Sequence, residues 1–327
     1  MGPACLPCYL LLLAGPAKIS WAVQAWLARM PACVGRIDPE MPGCDTYLHA
    51  VAEGWPESGT SAEAALVWSV AQDEMGQTMR RALADPITVG LRQRGCQVHV
   101  IDDRAGAPAT EAALVEALAA HPGLVVTTSH GSLGKAGTML EDVLGLPIDG
   151  NGGPVEVGAV VEASSAGAIW VIHACCSAGS ARPSELGPLF CAGTSLRSQL
   201  DAVEASAPLV APLPSALLGA ARPVRAVVAQ VELTFDWMLV DAMDGELRSA
   251  GLVDGAISVI GDTRRVGHAL MDHWLEAGGF ERTYSMAYDR YIDGAEDEFG
   301  LLFRAVLGAR NREATVILGD PTVGFLS

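Results

Sequence analysis

Two apolar, largely β-branched runs constrain this chain more than anything else in it. Leu124-Val125-Val126-Thr127-Thr128-Ser129 stops at His130-Gly131-Ser132, and Ala168-Ile169-Trp170-Val171-Ile172-His173-Ala174 stops at Cys175-Cys176-Ser177-Ala178-Gly179. Each reads as a buried strand ended by glycine or small residues that let backbone or a ligand come close. One presents an imidazole and the other a thiol. If the strands are parallel neighbours, both loops leave the sheet at its carboxyl edge, where open α/β sheets hold their ligand sites.

The surrounding pattern supports a parallel sheet. From Ala64 the chain alternates strand Ala65–Val70, a helix around Gln77–Arg94, strand Gln97–Ile101, helix Glu111–Ala120 and then the His130 strand. Strands alternating with helices predict a mostly parallel sheet covered on both faces, with Pro86 marking a kink in the first helix. The crossing to the Cys175 strand is loop-rich, with helix only at Ala159–Ala166. Further on, helices near Gln199–Ala205 and Pro214–Ala221 precede an apolar strand, Val224–Val231. Its following loop, Glu232-Leu233-Thr234-Phe235-Asp236-Trp237, leaves the same sheet edge. Helices at Val266–Ala277 and Glu296–Leu307 lead to a last strand, Ala314–Leu318. Ahead of Ala64, strand Tyr9–Ala14 and helix Ile19–Leu27 give way to a stretch broken by Pro31, Pro39, Pro42, Gly43, Pro56 and Gly59. Residues 1–60 are read as a short subdomain extending the sheet, and residues 61–327 as the main domain.

Charge and cysteine usage exclude several functions. The 327 residues carry a formal charge of −17 without a Lys/Arg cluster, which argues against nucleic acid or an anionic membrane as partner. The cysteines are irregularly spaced, so a reduced, cytoplasmic protein is expected rather than a disulfide framework. Cys5 and Cys8 form a CxxC with no second pair at zinc spacing, and no metal is expected. Tyr9–Gly15 lacks the basic flank of a signal peptide and is too short to span a bilayer.

A cysteine attacks as its thiolate, and a neighbouring imidazole takes the proton near neutral pH. His130 and Cys175 form such a pair on paper, with the N–H groups of Gly131 and Cys175 available for a developing oxyanion. The plain alternative is two unrelated strand ends. Neither a G-x-C-x-G turn nor a G-x-S-x-G elbow is present.

Thr128-Ser129-His130-Gly131-Ser132 resembles the H-G segment of caspase-like (clan CD) cysteine peptidases, and Ile172-His173-Ala174-Cys175 their strand ending in A-C. The gingipain-like and CHAT-type branch is the nearer match. Leu12-Leu13-Ala14-Gly15 is similar to its L-L-x-G strand, Cys33-Val34-Gly35-Arg36-Ile37 to its V-G-R-I segment, and Ile317-Leu318-Gly319-Asp320-Pro321-Thr322 to its closing L-G-D-P-T. These motifs keep their order from Tyr9 to Phe325. The resemblance implies a caspase-like three-layer sandwich and a Cys-His dyad endopeptidase with His130 as base, Cys175 as nucleophile and no cofactor. It also implies a protein or peptide substrate, with a regulatory partner or a bacterial defence role, such as activation of a gasdermin-like pore former. A catalytically silent scaffold on the same fold is the alternative, which retention of both His130 and Cys175 argues against.

In such peptidases the loop after the first core strand selects the side chain before the cut. Here that loop is Ala71-Gln72-Asp73-Glu74-Met75-Gly76. An acidic pocket formed by Asp73, or by Glu74, predicts cleavage after Arg or Lys. Asp73 reads equally well as a helix-capping acid, and Arg80 or Arg81 would instead give an acidic preference. Trp237 is a candidate pocket wall or a core tryptophan. Cys176 is expected to point away from the nucleophile's side, and His173 to be a satisfied core or face histidine.

Overall fold

Strands β1 (Tyr9–Leu13), β2 (Cys33–Ile37), β3 (Ser61–Ser69), β4 (Gln97–Asp102), β5 (Pro122–Thr128) and β6 (Ile169–His173) join two later ones in a single sheet. After the two-residue pair β7 (Gly179–Ser180) and β8 (Leu209–Val210), those are β9 (Ala226–Gln230) and β10 (Thr315–Gly319). The computed structural model describes residues 9–56, 58–134, 138–241, 245–262, 264–295 and 299–325.

The sheet runs in the order β1-β2-β10-β9-β6-β5-β3-β4. Every neighbouring pair is parallel except β9 and β10. The carboxyl ends of β3, β4, β5, β6 and β9 therefore share one edge with the amino ends of β1, β2 and β10. The central strands β5, β6 and β9 are buried at every position, as apolar runs without alternation require. Helices Glu111–Leu118, Val157–Ala163 and Pro212–Leu218 pack together in one layer. Asp85–Gln93, Ala250–Gly261, Val266–Ile292 and Phe299–Ala314 pack together in another. The result is the expected α/β three-layer sandwich, and among the described residues no helix is long and apolar enough to cross a membrane.

Arg36 on β2 ties the amino-terminal strands to what surrounds them. Its fully buried guanidinium donates to Gln24 Oε1 and to the carbonyls of Ala14, Ile19 and Ser20, at 2.7–3.0 Å. It also stacks 4.7 Å from the Trp21 ring centre. Five donors on one rigid plane suit four carbonyl-type acceptors, which a lysine would not match.

The segment around Pro31–Gly59 is more regular than the sequence suggested. It holds β2 and the helix Cys44–Glu53, whose flanking Gly43 and Gly54 have φ of 77° and 71°. Those glycines bracket the helix in left-handed conformations rather than break it. The expected helix Gln77–Arg94 divides into Glu74–Met79, one π-helical turn at Arg80–Ala84, and Asp85–Gln93. Pro86 follows directly on that turn, where the hydrogen bonding has widened, the Asp85 N–H reaching the Arg80 carbonyl. Helix Ala250–Gly261 gave no periodic signal because it is buried nearly all round. The helix expected at Val266–Ala277 continues to Ile292. The helix expected at Glu296–Leu307 is described as Phe299–Ala314, residues 296–298 lying outside the described residues.

Candidate active site

His130 and Cys175 leave adjacent parallel strands at matching positions. Thr128 of β5 is in register with His173 of β6, and two residues beyond each stand His130 and Cys175. The Ser129 N–H donates to the His173 carbonyl at 3.3 Å, carrying the pairing past the strand ends. The His130 loop is fixed by the returning segment 145–148, with Ile148 N–H on the His130 carbonyl (2.9 Å) and Ser132 N–H on that of Leu146 (2.8 Å). Gly131 lies directly against the Cys175 backbone. A Cβ at 131 would fall 2.0 Å from the Cys175 carbonyl oxygen and 2.8 Å from its nitrogen.

Two N–H groups at this contact have no acceptor among the described residues, those of Gly131 and Cys175. They are the two donors the sequence reading assigned to an oxyanion.

After Cys175 the chain turns sharply. Cys176 has φ of 56°, an uncommon conformation for a residue with a side chain. The turn is held by Cys176 N–H on the Glu232 carbonyl (3.0 Å) and Gly179 N–H on that of Cys176 (3.0 Å). It buries the Cys176 side chain against Leu144, Leu186 and Leu233, where burial pushes its thiol well above the usual range. Cys175, half-buried, is the thiol with an outlet.

The loop after β9 supplies a partner that sequence reasoning missed. Thr234 donates its N–H to Cys175 Sγ at 3.3 Å, its Oγ1 lies 3.3 Å from the same sulfur, and its carbonyl is 3.6 Å away. The one signal available was that this loop leaves the same edge as the thiol.

Asp73 stands differently from the expectation of a free pocket acid. Its Oδ1 accepts the Gly76 N–H at 2.8 Å, capping helix Glu74–Met79, and its Oδ2 meets His130 Nε2 at 2.6 Å. Burial works to raise the Asp73 carboxyl, but the hydrogen bonds from Gly76 and His130 outweigh it and hold it below the usual carboxylate range. The two side chains are 47% and 56% exposed, so screening limits what the pair adds to stability. Its effect is orientation. With Nε2–H donating to Asp73 Oδ2, the tautomer with its lone pair on Nδ1 is favoured, and Nδ1 has no partner among the described residues. His130 and the Cys175 thiol are not hydrogen-bonded to each other.

Among the other candidates, Glu74 is exposed and has no partner among the described residues, and Arg80 Nε faces Asp85 at 4.0 Å. Arg81 donates to Thr78 Oγ1. Trp237 stacks on Phe235 with ring centres 4.6 Å apart. It lines a cavity with Phe280 and Phe303, not the cavity of about 510 Å³ that opens beside Gly131, Ser132 and Leu133. His173 is a core histidine, but only partly satisfied. Its Nδ1 lies 3.5 Å from Gln230 Nε2, while its Nε2 has no partner among the described residues. Among the described residues no disulfide links Cys33, Cys44, Cys96, Cys175, Cys176 or Cys191, and no group of side chains suited to a metal converges. Cys5 and Cys8 lie outside the described residues.

No protein-family profile matches the chain, and no curated protein sequence does. A solved structure described as "Structure of Protease" superposes with a TM-score of 0.52 at 10% identity, covering 98% of this chain and 65% of that one. The chain thus spans about two-thirds of the length of that structure, and the likeness concerns the fold.

Proposed function

We propose that this chain is a cysteine endopeptidase with Cys175 as nucleophile, His130 as base and Asp73 as the carboxylate that orients the base. The observation that carries the reading is the matched exit of His130 and Cys175 from β5 and β6, with Gly131 packed on the Cys175 backbone. The similar solved structure, described as a protease, agrees with it.

In this mechanism the Cys175 thiol leaves Thr234 and gives its proton to His130 Nδ1. The thiolate then attacks the scissile carbonyl carbon, and the oxyanion takes the N–H groups of Gly131 and Cys175. Asp73 stabilises the imidazolium, which returns the proton to the departing amine as the C–N bond breaks. Water, deprotonated by His130, hydrolyses the thioester and restores the thiol.

Because Asp73 is engaged by His130, a preference for Arg or Lys before the cut rests on Glu74, which is exposed and has no partner among the described residues. The resemblance to gingipain-like peptidases adds an intracellular, regulatory role with one partner protein as substrate. A gasdermin-like pore former in bacterial defence fits that role.

A second reading, a binding scaffold without turnover, is favoured by one observation: the thiol is bonded to Thr234 and not to His130. A positional-scanning fluorogenic peptide library separates the two. Turnover that disappears in both His130→Ala and Cys175→Ala supports the peptidase. Absence of turnover with every peptide, together with equal iodoacetamide labelling of wild type and His130→Ala, supports the scaffold.

A further inference from the structure

A cavity of about 380 Å³ lies along the same sheet edge as the thiol, where the chain leaving β9 meets the chain entering β10 and the helix leading to β2. None of His130, Gly131, Cys175 or Thr234 lines it. Helix Trp21–Ala28 presents Ala22, Ala25 and Trp26 to it at helical spacing, followed by Arg29. The small residues leave room between Trp21, which is buried, and Trp26, which is 55% exposed.

The charges lining this cavity are unevenly paired. Glu185 faces Arg310 at 3.2 Å, and Glu313 faces both Arg310 and Arg29. Glu232 has no cation among the described residues. It is 8% exposed and there accepts the Ser184 hydroxyl at 3.0 Å and the Glu185 N–H at 3.2 Å. Burial lifts its carboxyl to about 7, and the neighbouring Glu185 and Glu204 add to the effect. Arg29 pairs through Nη1 with Glu281 and through Nη2 with Glu313, but its buried Nε–H has no acceptor among the described residues. A buried carboxylate without a cation and a buried guanidinium N–H without an acceptor, beside two tryptophans, describe complementary halves of one ligand.

We propose that this cavity is an effector site for an amino-acid-like cation, with an ammonium or guanidinium at Glu232, an apolar stem against Trp21 and Trp26, and a carbonyl or carboxylate oxygen at Arg29 Nε. Glu232 connects the site to the thiol by three routes. Its carbonyl accepts the Cys176 N–H, its carboxylate holds Ser184 and Glu185 in the segment that follows Cys175, and Thr234, two residues on, holds Cys175 Sγ. A ligand that draws on Glu232 therefore biases the segments that set the thiol's position, and catalytic-site occupancy biases ligand affinity in return.

Isothermal calorimetry on the 327-residue chain carrying Cys175→Ala tests the binding without needing peptidase activity, so its failure and failure of the peptidase reading are distinguishable. L-arginine is expected to bind. L-citrulline, which has the same shape without the charge, is expected to bind about tenfold more weakly or worse. Agmatine, which lacks the carboxylate, falls between them. Trp26→Ala weakens arginine several-fold, and Glu232→Gln removes the difference between arginine and citrulline. N-acetyl-arginine amide binding as well as arginine assigns the site to a residue of a polypeptide, whereas a strong preference for the free amino acid assigns it to a small molecule. In the wild-type protein, saturating arginine changes the iodoacetamide alkylation rate of Cys175. Equal binding of arginine and citrulline, or no heat from arginine up to about 10 mM, overturns the site. An unchanged alkylation rate at saturation overturns its coupling to the thiol.

Discussion

Asp73 Oδ2 and His130 Nε2 meet at 2.6 Å across 57 residues of sequence, joining the loop after β3 to the loop after β5. The carboxylate fixes the ring's tautomer and leaves Nδ1 as the only basic nitrogen. Asp73→Asn keeps the shape and removes the charge that stabilises the imidazolium. A hydrogen bond to a charged group contributes roughly 1.5–3 kcal/mol, so kcat/KM should fall on the order of ten- to a hundredfold. The pH at which Cys175 alkylation becomes rapid should shift as well, which lost helix capping alone would not cause. An unchanged pH profile would remove Asp73 from the catalytic group.

Adjacent cysteines give a sharp comparison of reactivity. Cys176 is 1% exposed and its thiol is pushed up by burial, whereas Cys175 is half-buried at the mouth of the turn. Limited alkylation of the native protein, read by peptide mapping, should modify Cys175 and spare Cys176. Cys176→Ala should retain labelling at 175 and destabilise the protein by about 1 kcal/mol, as loss of a small buried side chain does. Loss of turnover in Cys176→Ala with retention in Cys175→Ala would reverse the assignment.

The parts of the site written in continuous apolar runs were legible in the sequence. β5 and β6 carry no alternation, so their burial could be argued from the runs alone, whereas their adjacency, and with it the joint exit of His130 and Cys175, stayed a condition that the register of β5 and β6 supplies. Asp73 was visible as an acid near the site, but a helix cap, a pocket floor and a histidine partner all ask for the same residue in the same loop. Only the fold distinguishes them. Thr234 was marked only by the edge its loop leaves from, because a threonine after an apolar strand is ordinary and its bond to the sulfur depends on the register of β6 and β9. Helix Ala250–Gly261 was illegible for the opposite reason: buried on nearly every side, it has no polar face to mark a period.

Acid stability tests the buried histidines, and the sign follows from each group. Burial holds His173 near a pKa of about 4 against 6.5 in the unfolded chain, and His273 is likewise held well below 6.5. Each contributes stability that is present above 6.5 and is lost as pH falls below it, because the unfolded chain takes up the proton first. Glu232, raised to about 7 from 4.5, acts the other way and favours the fold on acidification through that window. Between about 4.5 and 6.5 the two histidines outnumber the one carboxyl, so the urea midpoint should fall with falling pH. In His173→Gln one histidine balances Glu232, and the midpoint should become nearly flat over the same window. An equally steep fall in the variant would show that His173 is not held neutral.

Gly131→Ala is the most direct test of the contact between the two loops. The new Cβ would stand 2.0 Å from the Cys175 carbonyl oxygen, and neither side has room to retreat. The His130 loop is pinned by Ile148 and Leu146, and the Cys175 turn by the Glu232 carbonyl. Relief requires one of these hydrogen-bonded segments to move, so the variant should lose on the order of 3 kcal/mol in urea unfolding. Turnover should fall even in the fraction that remains folded, since the displaced Gly131 and Cys175 N–H groups no longer converge on one oxygen. Gly153→Ala, in the turn that follows the returning segment, serves as the control. Its Cβ would meet nothing within 4 Å and its φ is not in the left-handed region, so stability should stay within about 0.5 kcal/mol. A Gly131→Ala protein as stable and active as this control would mean that the loops are not in contact, and the matched exit of His130 and Cys175 would no longer support a shared site.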